Sequence, residues 1–402
     1  MGLNDTVSAE RVHIGFFGKR NAGKSSIVNA VTGQELAVVS DVKGTTTDPV
    51  RKAMELLPIG PVVIIDTPGI DDEGALGELR VQKTKQILAK TDVAILVVDS
   101  EKGLDTPDEE LIRLFEERKT PYLIVYNKSD LLKAIPSGDE KSIYVSAVRK
   151  SNIEELKNKI GSLSKTVENK KQIVADLIED GDVVLLVIPI DESAPKGRLI
   201  LPQQQTIRDI LDANCAVMCC QDTELKSTLN ALKVKPKLVI TDSQAFGRVS
   251  KDTPDDILLT SFSILFARYK GDLAALISGA AQLSKLKDGD KVLISEGCTH
   301  HRQCNDIGTV KMPGWIKNYS QAEPEFHFTS GGDFPEDISE YSLIVHCGGC
   351  MLNEKEMQRR IDVAKEAGVP IVNYGIAIAQ MHSILRRSLE PFPEILKILD
   401  EQ

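Results

Sequence analysis

A short apolar run, His13-Ile-Gly-Phe-Phe17, passes directly into Gly18-Lys-Arg-Asn-Ala-Gly-Lys-Ser-Ser26 and then into the helix-patterned Ile27-Val-Asn-Ala-Val31. Strand, glycine-spaced loop and helix in that order form the Walker A arrangement, which commits this part of the chain to an α/β fold around a parallel sheet. Gly18 and Gly23 let the backbone curl so that its N–H groups face phosphate oxygens, and the helix start adds its dipole. Lys24 is expected to reach the β- and γ-phosphates and the Ser25 hydroxyl to meet Mg²⁺, with Asn21 and Ser26 lining the same loop.

Walker A alone leaves ATP and GTP open, and four further boxes decide between them. Asp66-Thr-Pro-Gly69 follows Val62-Val-Ile-Ile65, setting a carboxylate beside the metal and a glycine at the γ-phosphate. Asn127-Lys128-Ser-Asp130 follows Tyr122-Leu-Ile-Val-Tyr126. There Asp130 can accept two donors from the guanine edge, which adenine does not supply. Ser146-Ala147 follows Ile143-Tyr-Val145 and offers backbone to the base. Gly44-Thr-Thr-Thr-Asp48 lies where a switch loop belongs, with Thr46 expected on Mg²⁺. Five boxes in this order mark residues 1–170 as a P-loop GTPase domain, with Lys24, Thr46, Asp66 and Gly69 as its catalytic set.

Asn21 and Gly44-Thr45-Thr46 resemble the tRNA-modification and ribosome-assembly branch of small GTPases. That resemblance implies a monovalent cation, usually K⁺, held in part by Asn21. Ile70 stands where Ras-like proteins carry a water-positioning Gln. Hydrolysis is therefore expected to be slow and to lean on K⁺ or on an acid among Asp71, Asp72 and Glu73.

At 402 residues the chain exceeds one ordinary core. A formal charge of −10 argues against a nucleic-acid partner. No apolar run approaches the ~20 residues that cross a bilayer, so no membrane is expected either. The first residues lack the layout of an export signal. Gly2 and Thr6 match a myristoylation pattern short enough to recur by chance, and an ordinary frayed terminus is the expectation. Seven cysteines without an export signal fit a reducing cytoplasm, where thiols pack, bind metal or catalyse.

Strand-like and helical runs alternate almost throughout, giving three α/β units: 1–170, 171–265 and 266–402. Val167-Glu-Asn-Lys-Lys-Gln172 reads as the linker after the first. In the second, Cys215, Cys219 and Cys220 are read as core residues. Leu258-Leu-Thr-Ser-Phe-Ser-Ile-Leu-Phe-Ala-Arg-Tyr269 is read as a buried strand, with an interface as the alternative.

In the third, Lys291-Val-Leu-Ile-Ser295 leads towards Cys298-Thr-His300, and Ser342-Leu-Ile-Val-His346 leads into Cys347-Gly-Gly-Cys350. Thiolates suit Fe–S clusters, Zn²⁺ or Cu(I). The glycines put Cys347 and Cys350 on one turn at a helix start, which favours thiolate over thiol. Parallel strands would bring Cys298 to the same carboxyl edge. Cys298, Cys347 and Cys350 with His300 and His346 fit a closed Cys₃His zinc site, which spacing alone favours. They also fit a 4Fe–4S cluster with one exchangeable position. Cys304 is a further candidate, and His13, His327 and His382 are read as structural.

Cys-Thr-His, 45 intervening residues and His-Cys-Gly-Gly-Cys stand behind a GTPase and a middle unit containing Pro195-Lys-Gly-Arg-Leu-Ile-Leu-Pro-Gln-Gln-Gln205. This combination resembles the HydF family, the GTPase maturation factors of FeFe-hydrogenase, over essentially the whole chain. The resemblance implies a 4Fe–4S cluster on Cys298, Cys347 and Cys350, with His300 and His346 near its open iron. It implies a homodimer formed through residues 171–265 and a cluster-binding domain over 266–402. The implied role is a scaffold or carrier that takes a transient di-iron precursor from two radical-SAM maturases to the apo FeFe-hydrogenase. Two other readings stand beside it. One is a ribosome- or tRNA-associated GTPase with a structural zinc module, which the acidic charge disfavours. The other is a redox enzyme using Cys347 and Cys350 as a dithiol, which leaves Cys298, His300 and His346 without a task.

Overall fold

The structure is a computed structural model that describes residues 11–34, 50–67, 84–167, 171–190, 199–297, 307–331, 333–335, 337–349 and 352–401. The chain divides into two compact units, residues 1–170 and 171–402.

The first unit holds β1 (Val12–Phe17), β2 (Val50–Leu56), β3 (Gly60–Asp66), β4 (Val93–Asp99), β5 (Tyr122–Asn127) and β6 (Ser142–Tyr144). They form one sheet in the order β2-β3-β1-β4-β5-β6. Only β2 runs antiparallel to its neighbour. Runs such as Val62–Ile65 and Val93–Val98 are apolar at every position because helices cover both faces, and these residues are buried throughout. On one face Ile14 and Phe16 pack with Ile27, Val31, Leu156 and Ile160. On the other, Phe17 packs with Leu88, Leu111 and Phe115. β1 lies between β3 and β4, where the strand order reverses, so the loop after Phe17 opens into the crevice at the carboxyl edge.

The second unit holds two four-stranded parallel sheets. One takes β7 (Val183–Val187), β8 (Ala216–Cys220), β9 (Leu238–Thr241) and β10 (Leu258–Ser261) in the order β10-β9-β7-β8. The other takes β11 (Lys291–Glu296), β12 (Glu325–Ser330), β13 (Leu343–His346) and β14 (Ile371–Asn373) in the order β12-β11-β13-β14. A single apolar core runs through both, from Ile173 and Leu185 to Ile294, Val345 and Phe392.

Two local expectations are corrected here. Leu258–Tyr269 is not one strand. β10 ends at Ser261, whose hydroxyl accepts from Ile264 N and starts the buried helix Phe262–Lys270. Cys215 is buried as expected, but Cys219 is exposed and Cys220 half-buried, because β8 is the edge strand of its sheet. Among the described residues no helix is long and apolar enough to cross a membrane.

Candidate nucleotide site and metal centre

The loop after β1 is shaped by close backbone approach. Gly23 has φ +90°, and a Cβ there would lie 2.2 Å from the Asn127 side-chain amide. Only glycine fits that position. Asn127 ties the loops together: its Nδ2 donates to Ala22 O at 3.1 Å and its Oδ1 accepts from Ala147 N at 3.2 Å. The Lys24 ammonium donates to the carbonyls of Gly18 and Lys19 at 2.9 and 2.7 Å, at the mouth of the loop.

Ser25 Oγ donates to Asp66 Oδ2 at 2.9 Å, joining the first and third boxes. Asp66 Oδ1 is buried with no partner among the described residues. A buried anionic oxygen without a donor is costly, and a hard cation is the ligand that relieves it. Burial pushes the Asp66 carboxyl above its ordinary value, with Ser25 and Lys24 opposing. The pair therefore fits Mg²⁺. Thr67 Oγ1 donates to Phe16 O at 2.7 Å and anchors this box to β1.

At the Asn127–Asp130 and Ser146–Ala147 boxes Ser146 Oγ donates to Asp130 Oδ1 at 2.5 Å. This bond holds the Asp130 carboxyl below the usual carboxylate range. Lys128 has φ +64° and its Nζ lies 2.6 Å from Asp99 Oδ2. Asp99 was not picked out by the sequence reading, although its place at the end of β4 is the available signal. Ser26 stands in the first turn of the helix Lys24–Thr32. Thr46, Gly69, the rest of the Gly44–Asp48 loop and Ile70 to Glu73 lie outside the described residues.

In the second unit β11 and β13 are neighbours, with Ser295 opposite His346. From β11 the chain goes to β12 on one side and then back to β13 on the other. The loops after Glu296 and His346 therefore open at a reversal of strand order, the place where α/β sheets hold ligands. Gly297 N donates to Cys347 Sγ at 3.0 Å and Gly349 N approaches it at 3.4 Å. Two amide donors aimed at one sulfur favour thiolate, the form that binds metal. Gly349 has φ +62°, and a Cβ there would lie 2.6 Å from Met357 Sδ, so this turn too requires glycine.

His346 is fully buried. Its Nδ1 lies 2.6 Å from Cys347 O and its Nε2 lies 2.9 Å from Arg360 Nη1. Burial, with the Arg360 charge, pushes its pKa down to about 4. Arg360 and its partner Glu356 were not singled out in the sequence, where charges on Glu354–Glu366 look like a solvated helix face. Cys298, His300, Cys304 and Cys350 lie outside the described residues. Among the described residues no three His, Cys, Asp or Glu side chains gather into a metal-binding group. The donor set nonetheless fits a thiolate-held centre: Cys347 sits at the strand reversal beside Gly297, the residue two before Thr299 and one before Cys298.

Family models match three stretches of the chain. Residues 13–128 match the 50S ribosome-binding GTPase model. Residues 173–271 match the hydrogen maturase F dimerization domain and 274–391 the hydrogen maturase F tetramerization domain, together more than half of the chain. The chain belongs to the hydrogen maturase F family. The first compact unit of this family member carries its GTPase domain, as the boxes predict.

The curated relatives resemble only that GTPase part. The tRNA modification GTPase MnmE of Carboxydothermus hydrogenoformans is 38% identical over 152 residues, covering 36% of this chain and 32% of the relative. GTPase Der of Nitratidesulfovibrio vulgaris is 38% identical over 128 residues, 31% of this chain and 26% of the relative. The chain thus spans about a third or less of the length of these relatives. Among solved structures, an Aquifex aeolicus Era bound to GDP.AlF4⁻ matches at 19% identity with a TM-score of 0.34, over 52% of this chain and 92% of that one. A probable GTP-binding protein engB matches at 24% identity with a TM-score of 0.32, over 39% and 100%.

Proposed function

We propose that this hydrogen maturase F is a GTP-hydrolysing scaffold that carries a di-iron precursor to an apo FeFe-hydrogenase. The precursor is its cargo, received from two radical-SAM maturases in the cytoplasm. The resident group is a 4Fe–4S cluster on Cys298, Cys347 and Cys350, with one iron left open beside His300 and His346. When bound, the cluster supplies a coordination position for incoming cargo. The observation that carries this reading is the 3.0 Å bond from Gly297 N to Cys347 Sγ. It brings the chain just before Cys298 against the second cysteine, although the two cysteines are 49 positions apart in the sequence.

In the GTPase domain Lys24 binds the β- and γ-phosphates, while Ser25, Asp66 and Thr46 hold Mg²⁺. Gly69 meets the γ-phosphate, Asp130 reads guanine, and Asn21 helps hold K⁺. Residues 171–265 form a homodimer. The support for this is β8, an edge strand with Met218 and Cys219 exposed, which leaves a row of backbone groups ready for a second copy. Residues 266–402 bear the cluster. The carrier acts without binding nucleic acid or membrane.

The decisive experiment is anaerobic iron and sulfide analysis with EPR of the reduced full chain, followed by activation of apo-hydrogenase. Brown protein that activates, and cysteine variants that do neither, are expected. Colourless protein with one zinc would favour the ribosome-associated reading instead. A cluster-free cysteine variant that activates fully would remove the carrier role.

A further inference from the structure

We infer that His346 is a positioning residue for the Cys347 turn, held in one tautomer by the buried Arg360, and not a metal ligand. The hydrogen-bond assignment stands on the polypeptide alone. Its consequence for the metal rests on the cluster reading above.

Arg360 is the largest fully buried side chain of the described residues. Its Nε donates to Glu356 Oε1 at 2.8 Å and its Nη2 to Gly331 O at 2.7 Å. Its Nη1 faces His346 Nε2 at 2.9 Å and Ser295 Oγ at 3.3 Å. The Phe334 ring covers the guanidinium, 5.1 Å from centroid to Cζ. A guanidinium has donors only and keeps its protons in folded proteins. His346 Nε2 must therefore accept with its lone pair. A neutral imidazole that accepts at Nε2 carries its proton on Nδ1. That nitrogen lies 2.6 Å from Cys347 O, which can only accept. Neither ring nitrogen then keeps a lone pair for iron.

A histidine that binds metal usually turns its other nitrogen to a carbonyl or carboxylate. Here the nitrogen remote from Cys347 faces a cation. What the ring does instead is fix a peptide. Carbonyl and following amide point opposite ways across a trans peptide, so seating Cys347 O on the ring also sets the direction of the Gly348 N–H. Glu356 supports the arrangement from the first turn of its helix, where Asn353 Oδ1 accepts Glu356 N at 3.1 Å. Arg359 donates to the same carboxylate at 2.9 Å. A continuous line of hydrogen bonds thus runs from the start of helix Glu354–Glu366 through Arg360 and His346 to the cysteine turn.

The test uses the full chain labelled with ¹⁵N-histidine. In the metal-free protein, NMR of His346 is expected to show a protonated Nδ1 and an unprotonated Nε2, a pattern lost in Arg360→Lys. A protonated Nε2 in the wild type would overturn the assignment. After anaerobic reconstitution with iron and sulfide, His346→Asn and His346→Gln separate the two roles. The Asn amide overlays Nδ1 and keeps the donor to Cys347 O, so its EPR g-values and reduction potential should match wild type. The Gln amide overlays Nε2 and leaves that carbonyl without a donor, so both readouts should shift. Equal loss in both variants, or a ¹⁵N hyperfine coupling that disappears in His346→Asn, would make His346 a ligand and overturn the proposal. A wild type that takes up no iron and sulfide would sink the cluster reading, while the tautomer measurement would still decide the hydrogen-bond assignment.

Discussion

The Ser146 hydroxyl donates to the Asp130 carboxylate at 2.5 Å, so the group proposed to read guanine is braced from the neighbouring box. Asp130→Asn replaces an acceptor by a donor while keeping the shape. GTP affinity is expected to fall about 100-fold, the worth of two charge-assisted hydrogen bonds, and xanthosine triphosphate to bind better than GTP. Titration with both nucleotides checks this, and an unchanged GTP affinity would remove Asp130 from the base site.

With Asp66 as the proposed Mg²⁺ ligand, metal binding should depend on pH. Burial raises its pKa, so the protonated form persists to higher pH than in an exposed carboxylate. A proton must leave before Mg²⁺ binds. Mg²⁺-dependent GTP binding should therefore weaken on acidification earlier than an ordinary aspartate would predict. Measuring Mg²⁺ affinity between about pH 5 and 8 tests the sign, against reference values near 4 for unperturbed aspartate. In Asp66→Asn the remaining affinity should be flat with pH.

Nucleotide and metal functions should separate by mutation. Lys24→Ala is expected to cost about 100-fold in GTP affinity, as loss of a charged phosphate contact does, and to keep iron. Cys347→Ala should lose iron and keep GTP turnover. Parallel iron analysis and phosphate-release assays on the two variants decide it. Turnover in the wild type should also drop when Na⁺ replaces K⁺. Equal rates would remove the role given to Asn21 and leave the GTPase domain intact.

The GTPase domain was legible because each phosphate or base contact needs a particular residue at a strand end, and strand ends show as breaks in apolar runs. The cysteine pattern carried the family resemblance that the domain matches show, while of its three cysteines Cys347 alone lies among the described residues. Exposure was not legible. Nothing in Ala216-Val-Met-Cys-Cys220 says that β8 is an edge, since that depends on sheet order and not on the strand's own residues. Ser261 as a helix cap inside an apolar run was a missed signal, masked by the strand-like Leu258-Leu-Thr before it. Arg360 carries no plain mark of its burial in the sequence, because helix charges normally face water. Its spacing of four from Glu356 was the available hint.

A shortened chain tests the shared core. The helix Phe262–Lys270 spans position 266, and its Leu265, Phe266 and Ala267 are buried. Residues 171–402 are expected to fold and take up iron without the GTPase domain, whereas a fragment starting at 266 should be poorly soluble. Circular dichroism and iron content of both fragments check this.

Substitution on β8 tests the assembly. Met218→Lys puts a charge on the exposed edge without touching the core. Light scattering should report a smaller species than wild type, with iron content and GTP turnover retained. An unchanged mass would move the interface elsewhere.

Lys270 Nζ, at the end of the helix that follows β10, donates to Leu352 O in the segment after Cys350, at 3.2 Å. Gly297 is closed on by the same Leu352, whose Cγ lies 2.8 Å from where a Cβ would be. The segment that follows the Cys347 turn is thus bolted to the sheet that offers β8. The proposed carrier, built this way, would not swing its cargo on an arm. On the function proposed above, donor and recipient would both travel to a stationary berth, and their order of arrival would become a matter of competition for one mooring.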